Sequence, residues 1–211
     1  MRQQVRTEKL AAQLAPIQLG VGIPVGAEAA VHALRRYAED LPNDHIIVKL
    51  DFTNAFSTLR RDEMLEAIRR EVLEIYNFAH ATYNSAPYLQ FGDFSILSNE
   101  ETQQEDPLSS LEFCLIILPM LVSLTSELKI EFLDDITMAG WKDIVVNDII
   151  SIKDKTDKYG LVLNAAQCEV VYGDPLAPHD DDTLKDFQRV ELNNFTLFGL
   201  RFCLDVQSTK P

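Results

Sequence analysis

Hydrophobic and polar positions along the chain follow two different periods, which predicts an ordered series of helices and strands. Residues 25–41 carry apolar side chains at helical spacing, preceded by Gly and Pro and stopped by Pro42. Residues 45–52 form a β-branched run that is too short for a helix and ends at Asp51 and Phe52. A helix followed by a buried strand is therefore predicted at the start of the chain.

The same reasoning predicts the elements of the remaining chain. They are helices at 61–81, 107–127 and 142–158, hairpins at 87–97 and 129–140, strands near 161–164 and 168–173, and a last strand pair at 195–204. Strands grouped apart from helices are typical of an α+β fold. We expect an antiparallel sheet with the helices packed on one face.

Charge and cysteine usage narrow the classes of protein that fit. The chain has 33 acidic and 19 basic residues, a net charge of −14, which argues against extended nucleic-acid contact. Cys114, Cys168 and Cys203 lie far apart, as expected for reduced thiols in an intracellular protein (cytoplasm or nucleus) rather than a disulfide framework. The apolar stretch 113–124 is shorter than a membrane span, so no membrane partner is predicted.

Three aspartates are candidates for a metal site. Asp51 ends the first strand, and Asp134 and Asp135 occupy the turn of the 129–140 hairpin. If the two strands are neighbours, three carboxylates converge, and such a cluster suits Mg²⁺ or Mn²⁺. The alternative is an ordinary acidic turn that caps backbone N–H groups and faces water.

Five segments, taken in order, resemble the palm motifs A to E of reverse transcriptases from LINE-type (non-LTR) retrotransposons. They are VKLDFTNAF (48–56), QQEDPLSSLEFCL (103–115), FLDDITMAG (132–140), GLVLNAAQCEVV (160–171) and FTLFGL (195–200). Residues 18–37 resemble the segment that joins fingers to palm, and the resemblance covers about residues 5 to 204. It implies one α+β reverse-transcriptase domain over 1–211, with a fingers remnant (1–45), a palm (46–173), and a loop with the motif E hairpin (174–211).

The resemblance implies roles for individual residues around two Mg²⁺ or Mn²⁺ ions. Asp51 and Asp134 match the metal-binding aspartates, and Asp135 matches the second aspartate of the turn. Phe52 matches the residue whose backbone carbonyl contacts a metal. Phe56 matches the aromatic gate that excludes a 2′-hydroxyl, although an ordinary core aromatic is the alternative at this position.

Further positions would contact the RNA template, the DNA primer and the dNTP substrates that the resemblance implies as partners. Gln104 and Gln167 fall at nucleotide-binding positions of motifs B and D. Phe198 and Gly199 match the turn of the primer-contacting hairpin.

Four residues depart from the family pattern. Glu105 stands where the family has glycine, which lets backbone approach the nucleotide. Gln167 stands where the family has a lysine able to protonate the leaving pyrophosphate. Ser110 replaces a usual proline, and Glu112 replaces a usual leucine in an apolar helix, where burial of a charge is costly.

Two functions follow from these residues. The first is template-directed DNA synthesis from RNA by a palm domain. The second is a catalytically dead palm remnant that serves as an acidic protein-interaction module. Relative to the family the chain starts inside the fingers and stops just past motif E, so we expect weak grip on a template–primer duplex. A third possibility, another nucleotidyl chemistry such as cyclase activity, does not explain motifs B and E.

Overall fold

The computed structural model of the chain describes residues 14–84, 88–92, 94–97, 109–198 and 200–201. Two predicted site residues, Gln104 and Gly199, lie outside the described residues. The same holds for Cys203 and for Glu105, which replaces the family's motif B glycine. The helices are α1 (Gly26–Ala38), α2 (Ala55–Thr58), α3 (Arg61–Glu71), α4 (Leu73–Tyr83), α5 (Ser109–Val122) and α6 (Lys142–Tyr159). The strands are β1 (His45–Leu50), β2 (Tyr88–Phe91), β3 (Phe94–Leu97), β4 (Leu128–Phe132), β5 (Asp135–Trp141), β6 (Glu169–Tyr172), β7 (Gln188–Arg189), β8 (Thr196–Leu197) and β9 (Leu200–Arg201).

A five-stranded sheet forms the centre of the fold, with strand order β4-β5-β1-β6-β7. Neighbouring strands are antiparallel except for β6 and β7, which run parallel. Two separate hairpins, β2–β3 and β8–β9, complete the described strands. The α+β class and the predicted 87–97 and 129–140 hairpins are confirmed.

The alternation of side chains along β1 builds a core on each face of the sheet. Ile46, Val48 and Leu50 belong to the larger core, whereas Ile47 belongs to a smaller one on the opposite face. Because both faces of this central strand are covered, its sequence is apolar apart from His45 at its start and Lys49 near its end.

The helices occupy both faces rather than one. Helices α3 to α6 contribute to the larger core, as predicted. Helix α1 instead packs on the opposite face, where its small residues Ala30 and Ala38 with Leu34 contact the side that carries Ile47. The expectation of a single helical face fails because β1 is apolar on both sides, so its second face also needs a cover.

Three local predictions differ from the structure. The predicted 61–81 helix is divided at Val72, whose φ of −142° and ψ of 60° are not helical. Residues 161–164 form no strand and contribute only an isolated bridge between Leu163 and Phe52. Strand β7 was not predicted, and it extends the sheet by two residues that run parallel to β6. No helix within the described ranges is long and apolar enough to cross a membrane.

Candidate active site

The three candidate aspartates lie at one end of the central sheet. Leu50, the last residue of β1, is paired with Ile136 of β5, so Asp51 leaves β1 where Asp135 begins β5. Asp134 lies in the turn that joins β4 to β5, after Leu133, which has a left-handed φ of 59°. The antiparallel register therefore brings Asp134 and Asp135 to the same end of the sheet as Asp51, although both lie more than eighty residues after it in sequence.

The side chains of Asp134 and Asp135 are half-buried, and their surroundings disfavour the ionised form of each. Burial raises the pKa of Asp134, and the negative charge of Asp51 raises it further, while a backbone hydrogen bond opposes both. Burial also raises the pKa of Asp135, as do Asp134 and Asp51, while Lys49 acts in the opposite direction. A cation bound at this end of the sheet would relieve this mutual repulsion.

The chemistry of these donors suits a hard divalent cation, because carboxylate oxygens are the ligands that Mg²⁺ and Mn²⁺ prefer. Within the part of the chain that the structure describes, no three His, Cys, Asp or Glu side chains are already grouped tightly enough to hold a metal ion. The chemical type of the donors therefore suits such an ion, but the described side chains are not grouped so as to hold one.

A short loop after α6 fixes the backbone around Asp51. The Asn164 N–H donates to the Asp51 carbonyl over 2.8 Å, and the Thr53 N–H donates to the Val162 carbonyl over 2.9 Å. The buried Cys168 thiol lies 3.3 Å from the Asp51 nitrogen, which donates to it. Phe52, the predicted carbonyl ligand, has a buried side chain, so its ring anchors this segment in the core.

The two described residues predicted near the nucleotide differ in their surroundings. Phe56 is half-buried in the short helix α2, and its ring centroid lies 5.1 Å from that of the buried Phe113 in α5. Gln167 is exposed and accepts a hydrogen bond of 2.7 Å from the Asn164 side chain. Phe56 thus packs partly into the core, and Gln167 belongs to the loop that holds Asp51. Glu112, which stands where the resembling family has leucine, is buried in α5.

The β8–β9 hairpin lies against the end of β4, next to the turn that carries Asp134, through an aromatic contact. Phe198 has a left-handed φ of 52° at the hairpin turn, and its ring centroid lies 4.5 Å from that of Phe132, the last residue of β4. Because Phe132 is two residues before Asp134, the predicted primer-contacting hairpin lies beside the aspartates.

The structure also shows buried polar residues that the sequence reasoning did not select. One group joins β1, β6 and β8 and consists of Lys49, Glu169 and Thr196. Two features of the sequence could have identified this group. Lys49 is a charged residue inside an apolar strand, and the period of two places it on the same face as Asp51.

A second buried polar group lies around Glu131 in β4, three residues before Asp134. Glu131 is completely buried in β4, and burial raises its pKa to about 8. The Gln18 amide and the Cys114 thiol lie close enough to lower that pKa, although neither makes a well-aligned hydrogen bond with the carboxylate. Gln18 itself donates to the Cys114 sulfur over 2.6 Å and accepts from the Val21 N–H over 3.2 Å.

A cavity of about 570 Å³ lies elsewhere, lined among others by Leu41, Tyr172, Arg189 and Leu192. Tyr172 is paired with Ile46 near the start of β1, whereas Asp51 follows the end of that strand. The cavity and the three aspartates are therefore at opposite ends of the sheet.

Comparison with known proteins identifies structural neighbours of this chain. Telomerase from Candida tropicalis, solved with the TWJ fragment of telomeric RNA, superposes with a TM-score of 0.63 at 15% identity, covering 94% of this chain. Apo telomerase from the same organism gives 0.60 at 13% identity over 84% of this chain, and its form truncated from the C-terminal domain gives 0.52 at 14% identity, also over 84%. What is shared is the fold.

The chain spans between 35% and 41% of the length of these telomerase chains. No protein-family model and no curated protein sequence matches it. The likeness thus places the sheet and helices of this chain in the fold of telomerase polymerase regions, while the LINE-type resemblance comes from the sequence motifs alone.

Proposed function

We propose that this chain is a reverse-transcriptase palm domain that carries out template-directed DNA synthesis from RNA, with motifs that resemble those of LINE-type retrotransposon enzymes. The observation that carries the proposal is the convergence of Asp51 with Asp134 and Asp135 at one end of an antiparallel sheet. The telomerase likeness supports it, because telomerase also copies RNA into DNA and has the same fold over most of this chain.

In this proposal Asp51 and Asp134 hold Mg²⁺ or Mn²⁺ with the Phe52 carbonyl, and Asp135 completes the acidic turn. The metals supply activation of the primer 3′-hydroxyl and neutralisation of the triphosphate. Phe56 would lie next to the nucleotide and exclude a 2′-hydroxyl by its bulk, and its packing on Phe113 supports a fixed ring position.

The partners proposed are an RNA template, a DNA primer and dNTPs. The primer terminus would lie between the aspartates and the β8–β9 hairpin, which the Phe132–Phe198 contact holds beside the turn. Gln104 and Gln167 would lie towards the template base and the triphosphate. Gln167 cannot donate a proton as a cation, so slow release of pyrophosphate is expected.

The decisive experiment is primer extension on poly(rA)/oligo(dT) with Mg²⁺ or Mn²⁺. The parent chain, Asp134→Ala and Glu105→Gly are compared, with Asp182→Ala as a control because the Asp182 side chain is exposed and forms a surface ion pair with Lys185. We expect extension by the parent and by Asp182→Ala, and its loss in Asp134→Ala.

Two other results are informative. Extension by Glu105→Gly but not by the parent would assign the defect to the glutamate that replaces the motif B glycine. Absence of extension from every variant would contradict the enzymatic proposal and favour the palm remnant as an acidic interaction module.

A further inference from the structure

A buried network connects the centre of the sheet to the β8–β9 hairpin. The Lys49 ammonium donates to the Glu169 carboxylate over 3.0 Å, and the two side chains are only 15% and 11% exposed. The Thr196 N–H donates to the other Glu169 oxygen over 2.8 Å. The Thr196 hydroxyl completes the network by accepting from Lys49 and donating to Glu169.

The position of this network follows from strand register. Lys49 of β1 is directly paired with Glu169 of β6, and both project on the face that also carries Ile47. Asp51 follows Lys49 by two residues and therefore shares this face. The network thus lies one layer below the aspartates, and Lys49 is near enough to lower the pKa of Asp135.

The hairpin that the network holds is short. Strands β8 and β9 contain two residues each, and a hairpin of this length is at most marginally stable by itself. Its described contacts with the sheet include the packing of Leu197, and of Phe195 just before β8, in the smaller core, the Phe132–Phe198 ring contact and the hydrogen bonds of Thr196. Of these, only the Thr196 bonds are directional and involve charged groups, which makes them stronger than neutral hydrogen bonds.

We infer that Lys49, Glu169 and Thr196 are positioning residues. They hold the primer-contacting hairpin in a fixed position relative to the catalytic aspartates. This inference rests on the proposed function for the identity of the ligand, a primer–template duplex. Lys49 holds the Glu169 carboxylate in place, and Glu169 in turn accepts the Thr196 N–H that orients the hairpin.

The test measures hydrogen exchange at the Thr196 amide together with primer extension. The variants are Glu169→Gln, the double variant Lys49→Met/Glu169→Met, and Lys185→Met as a control at the exposed Lys185–Asp182 pair. The double variant separates positioning from folding, because a buried ion pair can be replaced by apolar residues of similar volume without loss of stability.

We expect the Thr196 amide to exchange about tenfold faster in both network variants, because a charge-assisted hydrogen bond is weakened or lost. Amides of β5 should exchange at the parent rate, and the double variant should keep the parent's thermal midpoint. The KM for primer–template should rise about tenfold, in line with the lost bond, while the KM for dTTP stays unchanged.

Two results would overturn the inference: unchanged Thr196 exchange in Glu169→Gln, or faster exchange with no change in the KM for primer. If the unmodified chain neither binds nor extends a primer, the proposed function fails and the primer-positioning role fails with it. Hydrogen exchange would then still decide whether the network holds the hairpin.

Discussion

Gly20 lies so close to Leu133 that a Cβ atom on Gly20 would stand 2.8 Å from the Leu133 backbone nitrogen. Leu133 is the left-handed turn residue immediately before Asp134. The segment around Gly20 is also bonded to β4, since the Leu19 N–H donates to the Glu131 carbonyl over 2.8 Å. The segment around Gly20 therefore helps to shape the turn that carries Asp134.

Gly20→Ala should consequently displace this turn. A methyl group in contact with backbone cannot be accommodated by side-chain rotation, so we expect a loss of about 1–3 kcal/mol in the free energy of unfolding. Displacement of Asp134 should also weaken Mn²⁺ binding. Urea unfolding and Mn²⁺ titration of the same samples measure the two effects.

Gly92→Ala is the matched control for this substitution. A Cβ at Gly92 meets nothing within 4 Å, and its φ of 59° adds only the backbone cost of a left-handed residue, about 1–2 kcal/mol. It should lower stability without changing Mn²⁺ affinity. Equal loss of Mn²⁺ affinity in both variants would contradict the role assigned to Gly20.

Asp134→Asn should stabilise the metal-free protein. The substitution removes a half-buried charge whose ionisation is opposed by burial and by Asp51. We expect the free energy of unfolding to rise by about 1 kcal/mol, because residues kept for function often lower stability. Mg²⁺ should raise the thermal midpoint of the parent and not of Asp134→Asn, since a ligand that binds only the folded state stabilises it.

Asp182→Asn controls for the loss of one negative charge. The Asp182 side chain is exposed, so this variant should change the midpoint little and keep the response to Mg²⁺. An equal Mg²⁺ response in the parent and in Asp134→Asn would show that Asp134 is not a ligand.

Part of the site could be predicted from sequence because strand ends and turns are local signals. Asp51 follows an apolar strand, and Asp134 and Asp135 interrupt a second apolar pattern, so their meeting requires only that β1 and β5 be neighbours. The register pairs Leu50 with Ile136 and fulfils this condition. The order of the motifs added the residues Phe52, Phe56 and Phe198, which spacing alone does not distinguish from core residues.

Other features depend on tertiary contacts that no local pattern records. The helical period continues through Val72, yet the chain leaves helical geometry there and starts a second helix at Leu73. The small stripe Ala30, Leu34 and Ala38 indicates a packed helix but not which face of the sheet it covers. Glu131 looks like the outward residue of an edge strand, yet it is completely buried, with the Gln18 amide and the Cys114 thiol of α5 beside its carboxylate.

Phe56→Ala should separate the two roles considered for this side chain. Loss of the contact with Phe113 should cost about 2 kcal/mol of unfolding free energy, since the ring is only half-buried. If the ring also excludes a 2′-hydroxyl, preference for dUTP over UTP in primer extension should fall about tenfold or more. Phe56→Tyr keeps the ring and should retain the preference. A destabilised Phe56→Ala variant with unchanged preference would leave only the packing role.

Glu131 makes the stability of the chain depend on pH. Its pKa is raised by burial from 4.5 to about 8 in the folded protein, so the folded state holds a proton that the unfolded state has released between these values. A raised folded pKa contributes stability that is fully present below the unfolded pKa and is lost as the pH rises through the folded one. Stability should therefore fall between about pH 5 and pH 8 on account of this residue.

Glu131→Gln should remove this part of the pH dependence. Glutamine resembles the protonated carboxyl group in shape and cannot ionise. The free energy of unfolding of the variant should therefore be close to that of the parent at pH 5 and higher than that of the parent at pH 9. The gain should be on the order of a few kcal/mol, since each unit of pKa shift corresponds to about 1.4 kcal/mol. Urea unfolding from pH 5 to pH 9 measures it as the difference between the two proteins, which cancels the contributions of Asp134 and Asp135. Parallel curves for parent and variant would mean that Glu131 is ionised in the fold and that the Gln18 amide and Cys114 thiol stabilise its charge.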